Sequence, residues 1–236
     1  MNTIIKTGCC GFVVNRLKYV SQFKLVEIQQ TFYQPPALAT LEKWRRITPA
    51  TFEFSLKAWQ LITHPPSSPT YRRLKAEIPE KARANFGFFK PTDEVFSAWE
   101  TTRKAARALK ASFILFQCPA SFKPTPENIK NFRIFFKKIK RGNFLFVWEP
   151  RGNWDGREIK NLCRELKLIH AVDPFKTPTQ FGKINYFRLH GKTGYYYKYK
   201  KEELTALKKL CQKPINYVFF NNTSRWEDSG RFKKII

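Results

Sequence analysis

The chain has 236 residues, of which 42% are hydrophobic, enough for one (β/α) barrel with a large core. No apolar run approaches the roughly 20 residues of a membrane span, and Met1–Cys10 runs straight into a strand-like stretch without the parts of a secretory signal. A cytoplasmic protein with no membrane partner is therefore expected. The 44 Lys and Arg against 18 Asp and Glu leave a net charge of +26, which points to a polyanionic partner, nucleic acid first; a surface tuned for solubility is the alternative.

In chain order the expected elements alternate. Strand 1 is about Thr3–Cys9 and strand 2 about Lys24–Gln29; the short crossover Gly11–Phe23 leaves room only for a small or irregular helix. A helix over Ala37–Ile47 has Leu38, Leu41, Trp44 and Ile47 at spacing three. Strand 3 is Phe52–Lys57. A helix over Val95–Leu109 precedes strand 4 at Phe113–Gln117, and one over Pro126–Lys140 precedes strand 5 at Phe144–Glu149. Gly156–Leu166, strand 6 at Leu168–Val172 and strand 7 at Asn185–His190 follow. Lys201–Cys211, strand 8 at Ile215–Asn221 and a closing helix within Arg225–Ile236 complete the chain. About eight short apolar strands separated by helices argue for a parallel sheet closed into a TIM-like (β/α)8 barrel, a single α/β domain over 1–236.

One segment breaks the rhythm. Residues 58–94, after strand 3, hold Pro65, Pro66, Pro69, Pro79 and Pro91, the basic residues Arg72, Arg73, Lys75, Lys81 and Arg83, and Tyr71, Phe88 and Phe89. A connection this long is a functional loop or carries short elements of its own. Following a strand's C-terminal end, this basic insertion is expected to overhang the barrel mouth, either as a lid or clamp or as a passive excursion.

Several apolar runs stop on a polar side chain, and in a barrel those stops form a ring at the C-terminal mouth, where catalytic groups sit. Glu149 follows five apolar residues, with Arg151 and Trp154 just beyond. Its readings are an acid/base group or metal ligand, or a structural Glu–Arg pair, because a carboxylate there needs a partner. Alternation in strand 2 puts Glu27, Gln29 and Thr31 on one side, with Tyr33 beyond. His190 ends strand 7 with Arg188 two positions earlier, a pair suited to an anion or to a histidine held neutral for general base work. Gly191 then lets the backbone turn closely. His64 is a second candidate mouth histidine, whereas His170, inside strand 6, reads as a core residue.

The loop after strand 7 interleaves Lys192, Lys198, Lys200 and Lys201 with Tyr195, Tyr196, Tyr197 and Tyr199. Loops after the last strands commonly bind phosphate in barrels, and tyrosine stacking with lysine charge grips single strands; a solvated basic turn is the alternative. Asn221 and Asn222 add donors, and Gln117, Lys57, Arg151 and Arg188 complete the expected substrate-binding set. Glu149, Asp173 and His190 are the candidate ligands should a divalent metal be required. The five cysteines, Cys9, Cys10, Cys118, Cys163 and Cys211, form no CxxC pair and indicate neither a zinc ribbon nor a disulfide framework. Cys10 near the mouth reads either as a nucleophile or as a small buried hydrophobe.

These segments resemble the domain-of-unknown-function 72 (DUF72, YecE-like) family. The resemblance rests on Val26-Glu27-Ile28-Gln29-Gln30-Thr31-Phe32-Tyr33, on Trp44, Thr48, Pro49, Phe52, Phe54 and Lys57, and on Phe116-Gln117-Cys118-Pro119-Ala120-Ser121-Phe122. It extends through Glu149-Pro150-Arg151-Gly152-Asn153-Trp154, Asp173-Pro174, Tyr186-Phe187-Arg188-Leu189-His190-Gly191 and Phe220-Asn221-Asn222. Where the family's first strand ends in a Gly-Thr-Ser-Gly-Trp-like segment, this chain has Gly8-Cys9-Cys10-Gly11-Phe12. The resemblance implies a TIM-like barrel over nearly the whole chain.

The residues themselves lead to a nucleic-acid-acting enzyme, expected to cleave a phosphodiester, with Glu27, Glu149 and His190 in the catalytic roles. The alternatives are a DNA- or RNA-binding protein without catalysis, and a hydrolase or isomerase of a small phosphorylated or sugar-like substrate.

Overall fold

The computed structural model describes residues 3–236; residues 1–2 of the expected 1–236 unit lie outside it. The expected strands form in order as β1 (Ile4–Cys10), β2 (Leu25–Ile28), β3 (Glu53–Lys57), β4 (Phe113–Gln117), β5 (Leu145–Glu149), β6 (Ile169–Val172), β7 (Ile184–Leu189) and β8 (Ile215–Phe220). Every neighbouring pair is parallel, and β1 pairs with both β2 and β8, which closes the barrel.

Nine helices connect and cover the strands: α1 (Arg16–Gln22), α2 (Gln30–Tyr33), α3 (Leu38–Arg46), α4 (Gln60–Thr63), α5 (Asp93–Leu109), α6 (Pro126–Lys138), α7 (Gly156–Glu165), α8 (Lys201–Leu210) and α9 (Arg225–Lys233), counted among the described residues. Side chains that should start them do so. Thr92, Thr125 and Asp155 accept hydrogen bonds from first-turn amides of α5, α6 and α7, satisfying donors that have no partner inside the helix. No helix among the described residues is long and apolar enough to cross a membrane.

Strand alternation divides the core. Outward residues such as Val26, Ile28, Phe54, Phe116, Phe146 and Trp148 pack against the helices. Inward residues Leu25, Phe113, Leu115, Val147, Ala171, Tyr186, Tyr217 and Phe219 fill the barrel, as the period of two requires. Above them the inward positions turn polar: Glu27 on β2, Lys57 on β3, Gln117 on β4, Glu149 on β5 and Arg188 on β7.

Two local expectations are corrected. The α3 face is apolar only at its centre: Leu41 and Trp44 are buried, whereas Leu38 and Ile47 are exposed. Each step of three residues falls about 60° short of a full turn, so the ends of such a row swing off the contact. Strand 2 ends at Ile28, and Gln29 turns into the helical region at φ −95°; Gln29 still reaches the mouth beside Glu27, whereas Thr31 leaves that face and donates to the Lys57 carbonyl at 2.7 Å.

The 58–94 insertion carries α4 and two short 3-10 turns, Pro69–Arg73 and Glu80–Asn85. It is anchored to the barrel. Phe89 is fully buried among Phe116, Phe122 and Phe132, and Gly87 and Phe89 amides donate to Leu61 and Ile62 carbonyls. Gly87 has φ +81°, and a Cβ there would sit 2.4 Å from the His64 carbonyl oxygen, so the approach needs glycine. Phe88 and Phe89 also adopt positive φ, a costly conformation for aromatic residues that places Phe89 in the core.

Candidate active site at the barrel mouth

Arg188 stands at the centre of the polar layer, completely buried. Its Nη2 donates to Glu27 Oε1 at 2.8 Å, its Nε reaches both Glu27 oxygens, and its Nη1 donates to Glu149 and, at 3.1 Å, to Gln117 Oε1. Three strands thus meet across the barrel through one guanidinium whose five donors suit two carboxylates. Tyr186 OH donates to Glu27 Oε2 at 2.7 Å, Gln29 Nε2 to Glu27 Oε1 at 2.5 Å, and the Cys10 thiol to the same oxygen at 3.2 Å.

The electrostatics follow from these partners. Burial works to raise both carboxyls, but Arg188 overrides it: Glu27 is lowered, and Glu149, with Arg151 also beside it, is held down to about 2. Both remain ionised and fully engaged, so neither is free to take up a proton at neutral pH. This corrects the expected acid/base roles of Glu27 and Glu149. It also corrects Arg188 as a phosphate ligand, since its donors are spent inside the protein.

Arg151 bridges the next layer. Its Nη2 donates to Glu149 Oε1 at 2.9 Å and to His190 Nε2 at 2.8 Å. A guanidinium can only donate, so His190 Nε2 is the acceptor and its proton sits on Nδ1. Burial and the neighbouring Arg188 push His190 down to about 4; burial, Lys57 and Arg151 push His64 down to about 3. Both imidazoles are neutral at pH 7.

The expected metal set does not assemble. Arg151 lies against both Glu149 and His190, whose Oε1 and Nε2 are 3.8 Å apart. Asp173 uses its oxygens on the Phe175 and His190 amides. A fixed guanidinium repels a dication, and no group of three or more His, Cys, Asp or Glu among the described residues is placed to hold a metal. Glu149, Asp173 and His190 therefore do not fit that role.

Above this layer opens a cavity of about 570 Å³ lined by Cys10, Gln29, Phe32, Tyr33, Lys57, His64, Thr70, Arg73, Gln117, Arg151, His190, Tyr195, Asn221 and Arg225. It brings together most of the expected binding residues. Four of its lining residues are lysine or arginine and none is acidic. Lys57 is 5% exposed, and its Nζ lies 3.8 Å from the Phe32 ring centre; burial first, then Arg188, lowers it to about 7. The insertion contributes His64, Thr70 and Arg73, the last with its guanidinium 3.6 Å from the Tyr33 ring centre. Trp154 lines an adjoining cavity of about 390 Å³ with Glu149, Arg151, Asp173 and His190, while its indole donates to the Phe122 carbonyl.

Other expected ligands are spoken for. Asn222 is buried and donates to the Tyr197 carbonyl and to Asp228, both at 2.6 Å. Lys192 pairs with Glu203 at 2.7 Å, and Tyr197 OH donates to the same carboxylate at 2.6 Å. These three are corrected from substrate ligands to braces of the β7–α8 loop. Gly191 is where that loop closes on itself: a Cβ would sit 2.1 Å from the Gly194 carbonyl oxygen. Cys10 is a thiol pushed well up by burial and then by Glu27, which removes it as a nucleophile. Burial likewise takes the Cys9 thiol to about 11. His170 is buried and accepts from the Gln180 amide.

Thr70, Arg73 and Arg225 enter the cavity without having been singled out as ligands. Arg73 was visible only as one of several basic residues in the insertion. Arg225 had no signal, because its place depends on α9 folding back beside Tyr195, whose hydroxyl accepts from Arg225 at 2.9 Å.

Known proteins agree with this architecture. The UPF0759 protein YunF of Bacillus subtilis (strain 168) is 26% identical over 255 residues, 92% of this chain and 84% of that protein. The crystal structure of the DUF72 family protein EF0366 from Enterococcus faecalis V583 superposes with a TM-score of 0.75 at 21% identity, covering 99% of this chain and 98% of that one. The DUF72 family protein TM1631 from Thermotoga maritima MSB8 gives 0.72 at 21% identity, covering 98% of each. A D-psicose 3-epimerase (TM-score 0.57, 10% identity, covering 99% and 96%) and the endonuclease IV of Thermus thermophilus (0.51, 8%, 99% and 97%) share the barrel fold alone. With the family model described as "Protein of unknown function DUF72" matching residues 15–231, the chain belongs to the DUF72 family.

Proposed function

We propose that the protein is an enzyme acting on nucleic acid, with a backbone phosphate held in the mouth cavity and a phosphodiester as the bond it breaks. The observation that carries this reading is the cavity lining: Lys57, Arg73, Arg151 and Arg225 converge with no carboxylate among them. The paired carboxylates lie beneath, already neutralised by Arg188. Such a site attracts an anion and gives it donors in a partly dry setting, where charge-assisted hydrogen bonds are strongest. The net charge of +26 extends the same preference to a polymer. Proton transfer falls to the neutral imidazole of His64 and to Lys57, because Glu27 and Glu149 are locked and His190 Nε2 already accepts from Arg151.

The test uses labelled single- and double-stranded DNA and RNA, alone and with Mg²⁺, Mn²⁺ or Zn²⁺, against wild type and Arg151→Ala. Salt-sensitive binding with cleavage, both weakened in the variant, is expected. Binding without cleavage under every condition converts the protein to a DNA- or RNA-binding module. Folded protein that neither binds nor cleaves any strand overturns the reading.

A second reading has its own support. The cavity volume lies in the range of small-molecule pockets, which favours a small phosphorylated or sugar-like substrate. Tight, saturable binding of a sugar phosphate with no oligonucleotide binding selects it.

A further inference from the structure

Lys57 is unlike the other cations of the cavity. It projects inward from the C-terminal end of β3, its stem is buried, and its nitrogen faces the Phe32 ring. It makes no ion pair within 4 Å among the described residues, whereas Arg188 holds both Glu27 and Glu149. Around it stand Glu27, Glu149, Arg151 and Arg188 on the barrel side and His64 from the end of α4. The two carboxylates favour its charge; the two guanidiniums and burial oppose it, and the opposing side prevails. An amine so placed carries a free electron pair near neutral pH, while ordinary lysines, with a pKa of about 10.4, carry one in only about a thousandth of molecules. Buried lysines of this kind serve as nucleophiles toward carbonyl carbon.

We propose that Lys57 is a nucleophilic amine that forms an imine with the aldehyde of a phosphate-bearing substrate, the phosphate resting on Arg73, Arg151 and Arg225. The inference rests on the reading of the mouth as an anion site and names the group that reacts there. The Lys57 nitrogen bonds to the aldehyde carbon as the carbonyl oxygen takes up a proton, and water then leaves to give the protonated imine. Where the substrate carries its phosphate on the carbon β to the aldehyde, loss of an α proton to His64, whose Nδ1 meets the Thr63 hydroxyl and leaves Nε2 toward the cavity, lets the β C–O bond break. The phosphate departs with that electron pair. Hydrolysis of the imine returns the amine, and no oxidant, reductant or metal is consumed. Two sources share this chemistry: an abasic site in a nucleic acid, whose elimination cleaves the strand, and a free sugar phosphate.

The experiment traps the imine in the full chain. Wild type, Lys57→Arg and Lys57→Met are incubated with sodium cyanoborohydride and one of four probes: an oligonucleotide with one abasic site, the same strand with that site reduced to the alcohol, glyceraldehyde 3-phosphate, and glyceraldehyde. Denaturing gels and peptide mass spectrometry read the adduct. A stable secondary amine at residue 57 is expected with the abasic strand or the triose phosphate, at least tenfold above any surface lysine. It should be absent with the reduced strand and in both variants. Which probe reacts faster identifies the source. An oligonucleotide that binds but leaves no adduct at Lys57, with none from the triose phosphate, overturns the inference and leaves the proposed function standing. Equal labelling of Lys57 by glyceraldehyde and its phosphate overturns the phosphate half, and with it the anion reading. The peptide map of wild type decides the matter even if a variant fails to fold.

Discussion

The two ends of the barrel each enclose charge, and they handle it differently. At the N-terminal end Lys6 of β1 pairs with Glu53 of β3, and Tyr217 of β8 donates to Glu53 Oε2 at 2.7 Å. That cluster is one cation against one anion, with both side chains part-exposed. At the C-terminal end Glu27 and Glu149 meet Arg188 and Arg151, and Lys57 is left over. The balanced cluster closes the bottom of the barrel; the upper one leaves Lys57 without an ion pair among the described residues, beneath a cavity that Arg73 and Arg225 also line. Barrels place chemistry at one end and stability at the other, and here the division is visible in which charges lack a partner.

The largest effect that tests this contrast is on stability. Arg188→Met leaves buried Glu27 without a cation and Glu149 with Arg151 alone, which by the cost of breaking buried ion pairs should destabilise by about 3–5 kcal/mol. Lys6→Met breaks a part-exposed pair and should cost about 0–1 kcal/mol. Urea unfolding of the two variants reads the difference. Equal costs would mean that the top cluster is no more deeply engaged than the bottom one.

Titration sharpens the comparison next. Lys57 has its folded pKa lowered from 10.5 to about 7. Between those values the unfolded chain binds a proton that the folded chain does not, so stability from this group rises with pH across that window, by at most about 1.4 kcal/mol per unit. Below pH 7 both states are protonated and its penalty is fully present. Glu149 runs the other way: held down to about 2 against an ordinary 4.5, it contributes stability above pH 4.5 that is lost as pH falls toward 2. Lys57→Met should flatten the alkaline rise and be more stable than wild type at pH 6. An unchanged slope between pH 7 and 10 would show that Lys57 keeps its proton.

Binding gives a smaller and more local readout. If Arg73 and Arg151 each touch a phosphate, Arg73→Ala and Arg151→Ala should each reduce the slope of log affinity against log salt by about one. Fluorescence anisotropy of a labelled single strand between low and moderate salt measures it. Unchanged slopes would place the polyanion outside the cavity.

Much of this was legible in the chain, and the part that was not has an identifiable cause. Glu149, Lys57 and Gln117 stood out because each ends an apolar run, and strand alternation sends each inward. What alternation cannot tell is which inward residues meet. Arg188 lies two positions before His190 in sequence, yet its partners Glu27 and Glu149 are 161 and 39 residues away. Their contact depends on the stagger of closed strands. The same limit turned expected ligands into braces: Asn222 is claimed by Asp228 of α9, and Lys192 and Tyr197 by Glu203 of α8. Gln29 was placed by alternation past a strand that had already ended, although it still reaches Glu27 by turning back. Charge count in a loop reports how many cations exist, not how many are free.

Lys192 separates position along the barrel from balance of charge. It lies at the mouth end, yet its pairing with Glu203 makes it resemble Lys6 with Glu53 more than Lys57. If position along the barrel governed function, Lys192→Ala should weaken oligonucleotide binding as does Arg73→Ala, which removes a cavity cation without an ion pair among the described residues. If the balance of charge governs it, the substitution removes a cation already neutralised and releases Glu203, with effects on affinity and stability within about 1 kcal/mol. Its salt slope should stay close to that of wild type. A Lys192→Ala loss as large as that of Arg73→Ala would move the binding surface from the cavity to the rim and dissolve the likeness between the two balanced pairs.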